Sequence, residues 1–243
     1  MTIVAQERVS ESPYIETVIH GHTLAAGSTI RPAEIHCHMV FVKHNGKMLP
    51  LVVGPLKSSG IASWGGEAEI LWIKFRLGTF IPHLPTKNLL DKETALPDAA
   101  GKSFWLHGSA WQVPNFENVE TFIDRLVRDE ALAHDPVVNA VLHDQPQNIP
   151  SRTVRHRFSR ATGLTQVHVR QYERAQHAHI LLQRGVSILD TVYQAGYFDQ
   201  PHLTRALKHW IGYTPAQIVH QYAQTRCGNL SPLEFDNQVL QLA

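Results

Sequence analysis

The first part of the chain alternates short apolar runs with turn-forming residues. Runs rich in β-branched and aromatic residues are separated by Gly, Pro, Ser and an Asn-Gly pair, which is typical of short strands. The runs are YIETVIH at 14–20, HMVFVKH at 38–44, LPLVVG at 49–54 and EILWIKFRLG at 69–78. Short strands at this spacing predict a small sheet, sandwich or barrel over roughly the first 115 residues.

The pattern becomes helical further along the chain. Phe122, Leu126 and Val127 recur at helical spacing within 119–132, and PVVNAVLH at 136–143 predicts a short helix before a polar loop with two prolines. Nearly everything beyond is helical and punctuated by glycines. We therefore predict an α+β protein, with a β-rich sensor or dimerisation domain over 1–133, a linker with a short helix over 134–150, an all-α domain with helix-turn-helix units over 151–222 and a C-terminal tail over 223–243.

Capping residues near position 190 indicate two short helices joined by a tight turn. Ser187 is a good N-cap with Asp190 three residues later, and Gly196 permits the left-handed backbone that ends a helix. Asp199 caps the next helix, whose first turn tolerates Pro201. This arrangement predicts a helix-turn-helix unit.

The second helix of this unit carries side chains suited to reading DNA. In such units the second helix enters the major groove, with its N-terminal residues at the base edges. Gln200 can read adenine, Thr204 can contact a base or a thymine methyl, Arg205 can bind guanine or phosphate, and Lys208 can meet a phosphate. The alternative is an amphipathic helix with an ordinary solvated face.

An upstream stretch, SRTVRHRFSRATG, repeats the theme. Its polar face comprises Arg152, Arg155, His156 and Ser159, and its apolar face comprises Val154, Phe158 and Ala161. We predict Ser151 as the N-cap and Gly163 as the terminator of this helix. Between the two candidate recognition helices, Gln166 to Arg184 predicts one helix of about 28 Å, which approaches the roughly 34 Å of a DNA turn.

The charge distribution supports a polyanionic partner for the C-terminal segment. Residues 1–150 carry 12 Lys and Arg against 16 Asp and Glu, whereas residues 151–220 carry nine against three, with seven histidines besides. The net charge of +1 for the whole chain hides this asymmetry. A solvated basic face is the simpler alternative.

The C-terminal segments resemble a known family. Over about residues 150–220, "RHRFSRATGLT" and "GYFDQPHLTRALKHWIGYTPAQI" resemble the DNA-binding domain of AraC/XylS-type transcriptional regulators. The resemblance implies base contacts from Arg152, Arg155 and His156 in the first recognition helix, and from Gln200, Pro201, Thr204 and Arg205 in the second. Residues 68–130 are loosely similar to the sensor domains that such regulators often carry.

The first unit departs from the family pattern. Family members have two helices before the first recognition helix, but here only sixteen residues, Asp135 to Pro150, precede Ser151, and most of them belong to PVVNAVLH and the proline-containing loop. The bracing helix is therefore missing or shortened. Either the helix at 119–132 substitutes for it, or the first recognition helix is loosely held.

Two constellations in the N-terminal part suggest other chemistry. His36 and His38 share one face of a strand, with His44 nearby, and could begin a cupin-like metal site, but no glutamate follows at a suitable distance. Cys37 between them could serve as an alkyl acceptor if its thiol were activated. Four tryptophans could line a ligand pocket or simply form core: Trp64, Trp72, Trp105 and Trp111. We predict structural roles, with no metal and no cofactor.

The sequence as a whole predicts a sequence-specific DNA-binding transcriptional regulator that acts by binding and is not an enzyme. Expected partners are double-stranded DNA, a small-molecule effector, a second copy of the chain and RNA polymerase. No apolar run approaches a membrane span and no signal peptide is evident, so we expect a cytoplasmic protein. The alternatives are a metal-dependent cupin-like enzyme with an appended helical domain, and a regulator that acts mainly by protein–protein association.

Overall fold

The computed structural model describes residues 3–100 and 102–227, with a β-rich N-terminal part followed by helices. The strands are β1 Ile3–Val9, β2 Ile15–Thr23, β3 Gly27–Arg31, β4 His38–His44, β5 Lys47–Val53, β6 Gly60–Trp64, β7 Ala68–Phe75, β8 Thr79–Phe80, β9 Glu93–Ala95, β10 Asp98–Ala99, β11 Ser103–Leu106, β12 Ser109–Gln112 and β13 Ala133–His134. The helices are α1 Val119–Arg128, α2 Pro136–Leu142, α3 Ser151–Thr162, α4 Gln166–Gln183, α5 Ile188–Gln194, α6 Gln200–Trp210 and α7 Pro215–Cys227, with a 3-10 turn at Thr86–Leu89. The predicted α+β class is confirmed.

A six-stranded antiparallel sheet forms the centre of the N-terminal part, in the order β1-β2-β7-β4-β5-β9. The β4–β5 hairpin turns at Asn45 and Gly46, which both have positive φ (49° and 74°). Two consecutive positive φ angles define the hairpin turn whose twist matches that of the flanking strands. The Asn-Gly pair therefore fixes the register of β4 and β5.

Both faces of this sheet are covered, which explains the continuous apolar run in β4. Met39 and Phe41 point to one face and pack with Phe104 and Phe122 from β11 and α1. Val40 points to the other face, in a cluster that includes Trp64 of β6. Strands buried on both faces lose the alternation of polar and apolar residues that marks a half-exposed sheet.

The helical part packs around α4 and shares its core with the N-terminal part. Tyr172 and Leu182 of α4 lie in one cluster with Leu203 and Leu207 of α6, and the same cluster contains Ala33, Ile35 and Phe80 from the β-rich part. Val137, Val138 and Val141 of the predicted linker are buried there too. The predicted domain boundaries remain predictions, and the predicted tail lies outside the described residues from position 228 onward. None of the described helices combines the length and apolar character needed to span a bilayer.

His36 and His38, the histidines considered for a metal site, belong to a buried ionic cluster. Glu34, which is 1% exposed, lies 2.5 Å from His36 Nδ1 and 3.7 Å from His38 Nε2 through its two oxygens. Lys74 Nζ lies 3.5 Å from the same carboxylate and 3.7 Å from Glu16. A cupin-like site was expected to have a glutamate after the histidines, but the carboxylate that lies beside both of them precedes them in the chain.

Burial and charge act in opposite directions on the members of this cluster. Burial raises the pKa of Glu34, but the charges of His36 and Lys74 outweigh it and hold that pKa well below its usual range. Burial lowers the pKa of His38 to about 3. Trp72 Nε1 donates to His38 Nδ1 at 2.8 Å, so neutral His38 carries its proton on Nε2, facing Glu34. Burial also raises the pKa of Cys37 to about 12, which removes the thiolate that alkyl transfer requires.

We expect the free energy of unfolding to fall as the pH drops from 6.5 to 5, because of His38. The unfolded chain binds a proton at this residue below about pH 6.5, whereas the folded chain does not bind it until about pH 3. The stabilisation is therefore complete above pH 6.5 and shrinks by about 2 kcal/mol at pH 5. Urea unfolding at pH 7 and pH 5 measures this difference.

His38→Asn is the matched variant for this measurement. Asparagine can still accept the Trp72 hydrogen bond but does not titrate, so the loss between pH 7 and pH 5 should shrink. Burial also lowers the pKa values of His134 and His168, and these residues supply a pH dependence that the variant keeps. An unchanged pH dependence in the variant would show that His38 is not the responsible group.

Candidate nucleic-acid interface

The helix-turn-helix predicted near position 190 is present with the predicted caps. The Ser187 hydroxyl accepts from the Asp190 N–H at 3.1 Å, and the Asp199 carboxylate accepts from the His202 N–H at 2.7 Å. Gly196 has the left-handed φ of 68° that ends α5. A local side chain thus satisfies one exposed N–H group at the start of each helix, which fixes the residue at which the helix begins.

One face of α6 is buried and the other is open. Leu203, Leu207 and Trp210 are buried against the helical core. The residues predicted to contact DNA lie on the remaining surface: Gln200, Pro201, Arg205 and Lys208 are exposed and Thr204 is partly exposed. The Thr204 hydroxyl donates to the Gln200 carbonyl at 2.8 Å, so this side chain offers its methyl group and an acceptor oxygen to a partner.

Two large apolar side chains beside α6 were not singled out in the sequence. Phe198, in the turn before α6, is 91% exposed, and Tyr193 on α5 is 80% exposed. Phe198 directly precedes the N-cap Asp199 and therefore lies at the end of α6 that carries Gln200 and Pro201. The sequence could have indicated this exposure, because Phe198 lies in the predicted turn and does not belong to the apolar face of either helix.

The predicted first recognition helix, α3, carries on its surface the residues predicted to contact DNA. Arg152, Arg155 and His156 are exposed, while Phe158 and Ala161 are buried. The predicted terminator Gly163 has a φ of 71° and caps the helix. The predicted N-cap is wrong: Ser151 is already helical and the cap position is Pro150, without a side-chain hydrogen bond. Pro150 has an extended ψ of 142°, so the helix begins at Ser151, one residue earlier than a Ser151 cap would require.

The element that braces α3 is the short helix α2. α2, although only seven residues long, packs against it, and Arg157 holds the α2 N-cap Asp135 with two hydrogen bonds of 2.7 and 3.0 Å. The helix predicted at 119–132, α1, instead buries Phe122 and Leu126 against the sheet. α1 therefore does not brace α3.

The β-rich part lies beside the C-terminal half of α3. The Thr86 hydroxyl lies 3.4 Å from the Ala161 carbonyl, and Arg160 lies over the Phe80 ring at 5.6 Å. His156 and Ser159 line a groove of about 450 Å³ with Phe80, Pro85 and Lys87 as part of the opposite wall. Of the predicted contacts on α3, His156 therefore adjoins the β-rich part.

The β-rich part also binds the C-terminal end of α6. The Ala33 N–H donates to the Trp210 carbonyl at 2.7 Å, and the Ser59 N–H donates to the His209 carbonyl at 2.7 Å. The Ser59 hydroxyl donates to the Lys208 carbonyl at 2.9 Å. These are carbonyls that an α-helix leaves without an internal partner. We call this set of three hydrogen bonds the α6 clamp.

Comparisons with known proteins support the assignment of the helical part. A family model described as a helix-turn-helix domain matches residues 147–221. The chain carries a helix-turn-helix domain of the AraC type. The resemblance seen in the sequence is confirmed, and the protein is a DNA-binding transcriptional regulator.

Solved structures of ToxT from Vibrio cholerae also resemble the chain. One, from strain O395 bound to (E)-4-(8-methylnaphthalen-1-yl)but-3-enoic acid, has 9% identity and a TM-score of 0.38, with 91% of this chain and 100% of that chain covered. Another, from strain O395, has 9% identity and a TM-score of 0.37, with 91% and 98% covered. A 1.65 Å structure in the P21 form has 10% identity and a TM-score of 0.36, with 90% and 98% covered. No curated protein sequence matches the chain.

We expect Gly212→Ala to disrupt the packing next to the α6 clamp. Gly212 has a φ of 92°, and a Cβ atom there would lie 2.3 Å from Ile30 Cγ2 in the β-rich part. Backbone strain and overpacking together should lower the free energy of unfolding by about 2 kcal/mol or more. Urea unfolding measures the loss.

Gly196→Ala provides the matched control, because Gly196 also has a positive φ but a Cβ there meets nothing within 4 Å. It carries the backbone strain without the clash. Gly212→Ala should therefore destabilise more, and adding Ile30→Ala should recover part of the difference. Equal losses in the two glycine variants would contradict a close contact between Gly212 and Ile30.

Proposed function

We propose that the protein reads duplex DNA mainly through the N-terminal half of α6. The observation that carries this proposal is the open face of α6, whose reading end is exposed while its other end is held by the α6 clamp. Gln200, Thr204 and Arg205 would meet base edges, Pro201 would lie against the groove, and Lys208 would bind a phosphate. Phe198 adds an apolar contact suited to a thymine methyl.

α3 would supply the second set of contacts. Arg152 and Arg155 are exposed at its N-terminal half, and His156 lies further along the same face. α4 between the two helices has 18 residues, or about 27 Å. That length brings the two helices close to the spacing of successive major grooves. Because α3 has a short brace and a neighbour in the β-rich part, we assign it the smaller share of the base preference.

The N-terminal domain, proposed to span 1–133, would bind a small molecule. A cavity of about 840 Å³ lies between the sheet and the segment that precedes α1. Its apolar lining includes Phe41, Met48 and Leu71, and its rim carries Lys43 and Glu69 among other charged groups. A pocket with an apolar lining and a few polar groups suits a small amphipathic ligand.

We further propose that the protein acts by binding and not by turnover. The enzyme alternative required His36 and His38 as metal ligands, but both face Glu34 in a cluster that also contains the cation Lys74. The buried carboxylate of Glu34 is already paired with Lys74, and this cation disfavours a metal ion beside it. Binding as a homodimer to paired sites, and contact with RNA polymerase, belong to the same proposal.

Arg205→Ala should weaken binding to the preferred DNA site by about 1–3 kcal/mol and relax the base preference at one position, because a bidentate contact to guanine is lost. Duplexes selected from a randomised pool define the site, and fluorescence anisotropy measures the affinity. Lys208→Ala should weaken binding to all sequences and lower the salt slope by about one, as expected for a phosphate contact.

Arg128→Ala is the matched control, since Arg128 is an exposed arginine on α1, outside the helix-turn-helix domain. The affinity of this variant for the selected DNA site, and the salt dependence of that affinity, should equal those of the parent protein. If selection enriches no sequence, or if Arg205→Ala binds the selected site as tightly as the parent does, α6 does not read the DNA.

The cavity can be tested with the amphipathic probe 1-anilinonaphthalene-8-sulfonate. Val113→Trp places an indole among the lining residues and should weaken binding of the probe about tenfold, because it fills the space. Fluorescence titration measures the affinity. Val167→Trp, at a 65% exposed position on α4, serves as the control and should leave binding unchanged. Equal binding by both variants would place the probe elsewhere.

A further inference from the structure

Three metal-ligating side chains converge at the rim of the N-terminal cavity. His20, His22 and Glu69 each offer one ligand atom, and these atoms all lie within 4.8 Å of one another. His20 Nε2 lies 3.1 Å from Glu69 Oε1, and the rings of His20 and His22 have centroids 5.2 Å apart. Among the residues that the structure describes, this is the group of three His, Cys, Asp or Glu side chains that meets this geometry.

Regular strands, and not loops, hold the three ligands. His20 and His22 alternate with Gly21 in β2 and so share one face, and Glu69 is paired with His22 across the β2–β7 ladder. Gly21 lets the neighbouring strand β1 pair closely with β2, since a Cβ atom there would lie 2.7 Å from the Cβ of its paired residue Ala5. A site built on paired strands needs little ordering when an ion binds.

We propose that His20, His22 and Glu69 bind a divalent first-row transition ion, with Zn²⁺ as the expected occupant. Two imidazoles and one carboxylate form a known zinc ligand set, whereas Ca²⁺ and Mg²⁺ require oxygen ligands. Zinc bonds of about 2.1 Å in a tetrahedron separate the ligand atoms by about 3.4 Å. The observed spacing needs only small side-chain rotations to reach this value.

The charges around the site agree with this chemistry. Hydrogen bonds from Lys43 and His20 lower the pKa of Glu69, so its carboxylate is ionised, as a metal ligand must be. Lys43 Nζ binds Glu69 Oε2 at 3.0 Å, while Oε1 faces His20. The two oxygens therefore have separate partners, and an ion bound at Oε1 would replace the hydrogen bond with His20, whose Nε2 must be unprotonated to bind it. Lys43 still competes for the carboxylate and repels a cation, so it should weaken the site.

Three protein ligands leave a fourth coordination position, which suits either water or a donor atom of a bound molecule. His20 and Glu69 also line the cavity, so an ion there would lie at the edge of the proposed ligand site. This inference goes beyond the proposed function, which needs no metal, and it places the metal site away from the His36 and His38 pair considered in the sequence.

Isothermal titration of the full-length protein, without a histidine tag, with ZnCl₂ tests the proposal. We expect saturation at one equivalent. His20→Ala and His22→Ala should each weaken binding on the order of tenfold or more, and Lys43→Met should tighten it several-fold because the competing cation is gone. Co²⁺ should give the intense visible absorption of a tetrahedral ion, and Zn²⁺ should displace it.

His177→Ala, at an exposed histidine on α4, is the matched control and should bind Zn²⁺ like the parent protein. His22 is itself exposed, so its variant is expected to fold and keeps the test decisive. Absence of saturable binding would overturn the proposal, as would equal affinity in the parent and the His20 and His22 variants. Because DNA affinity is measured separately, such a result would leave the proposed DNA reading intact.

Discussion

The carbonyl groups at the C-terminal end of α6 set the position of the recognition helix. Every α-helix ends with carbonyls that lack an internal partner, and leaving such groups buried and unpaired is costly. Here backbone and side-chain donors of Ala33 and Ser59, from two different loops of the β-rich part, satisfy those of Lys208, His209 and Trp210. The helix proposed to read DNA is thus fastened to the N-terminal part at the end away from Gln200.

The ionic cluster follows directly after this fastening point. Glu34, next to Ala33, pairs its backbone with Leu56 and its buried carboxylate with His36 and Lys74. A buried charge tolerates little displacement of its partners, because separating them leaves an uncompensated charge. β4 begins four residues later and carries Phe41 and Lys43, which line the cavity. If a small molecule binds there, residues 33–43 form one continuous stretch of chain between the α6 clamp and its site.

Structural features that depend on neighbouring residues could be predicted from the sequence, whereas contacts between residues far apart in the chain could not. Ser187, Asp199 and Gly196 act on backbone groups within a few residues, so their roles could be inferred from spacing alone. The sequence could not indicate the α6 clamp, since two of its three donors are backbone N–H groups, which any residue type except proline supplies. The contact between α2 and α3 depends on a salt bridge between Arg157 and Asp135. The buried ionic cluster depends on Glu34, which precedes the two histidines in the chain. Such pairings are decided by the folded chain and not by periodicity.

The two candidate recognition helices contact the N-terminal part in different ways. α6 contacts it end-on through the α6 clamp, which leaves the reading face of the helix open. α3 contacts it sideways, with Arg160 over Phe80 and His156 in the adjoining groove. A change in the segment around Phe80 would therefore act directly on the surroundings of α3, whereas the C-terminal end of α6 is held by the loops that carry Ala33 and Ser59.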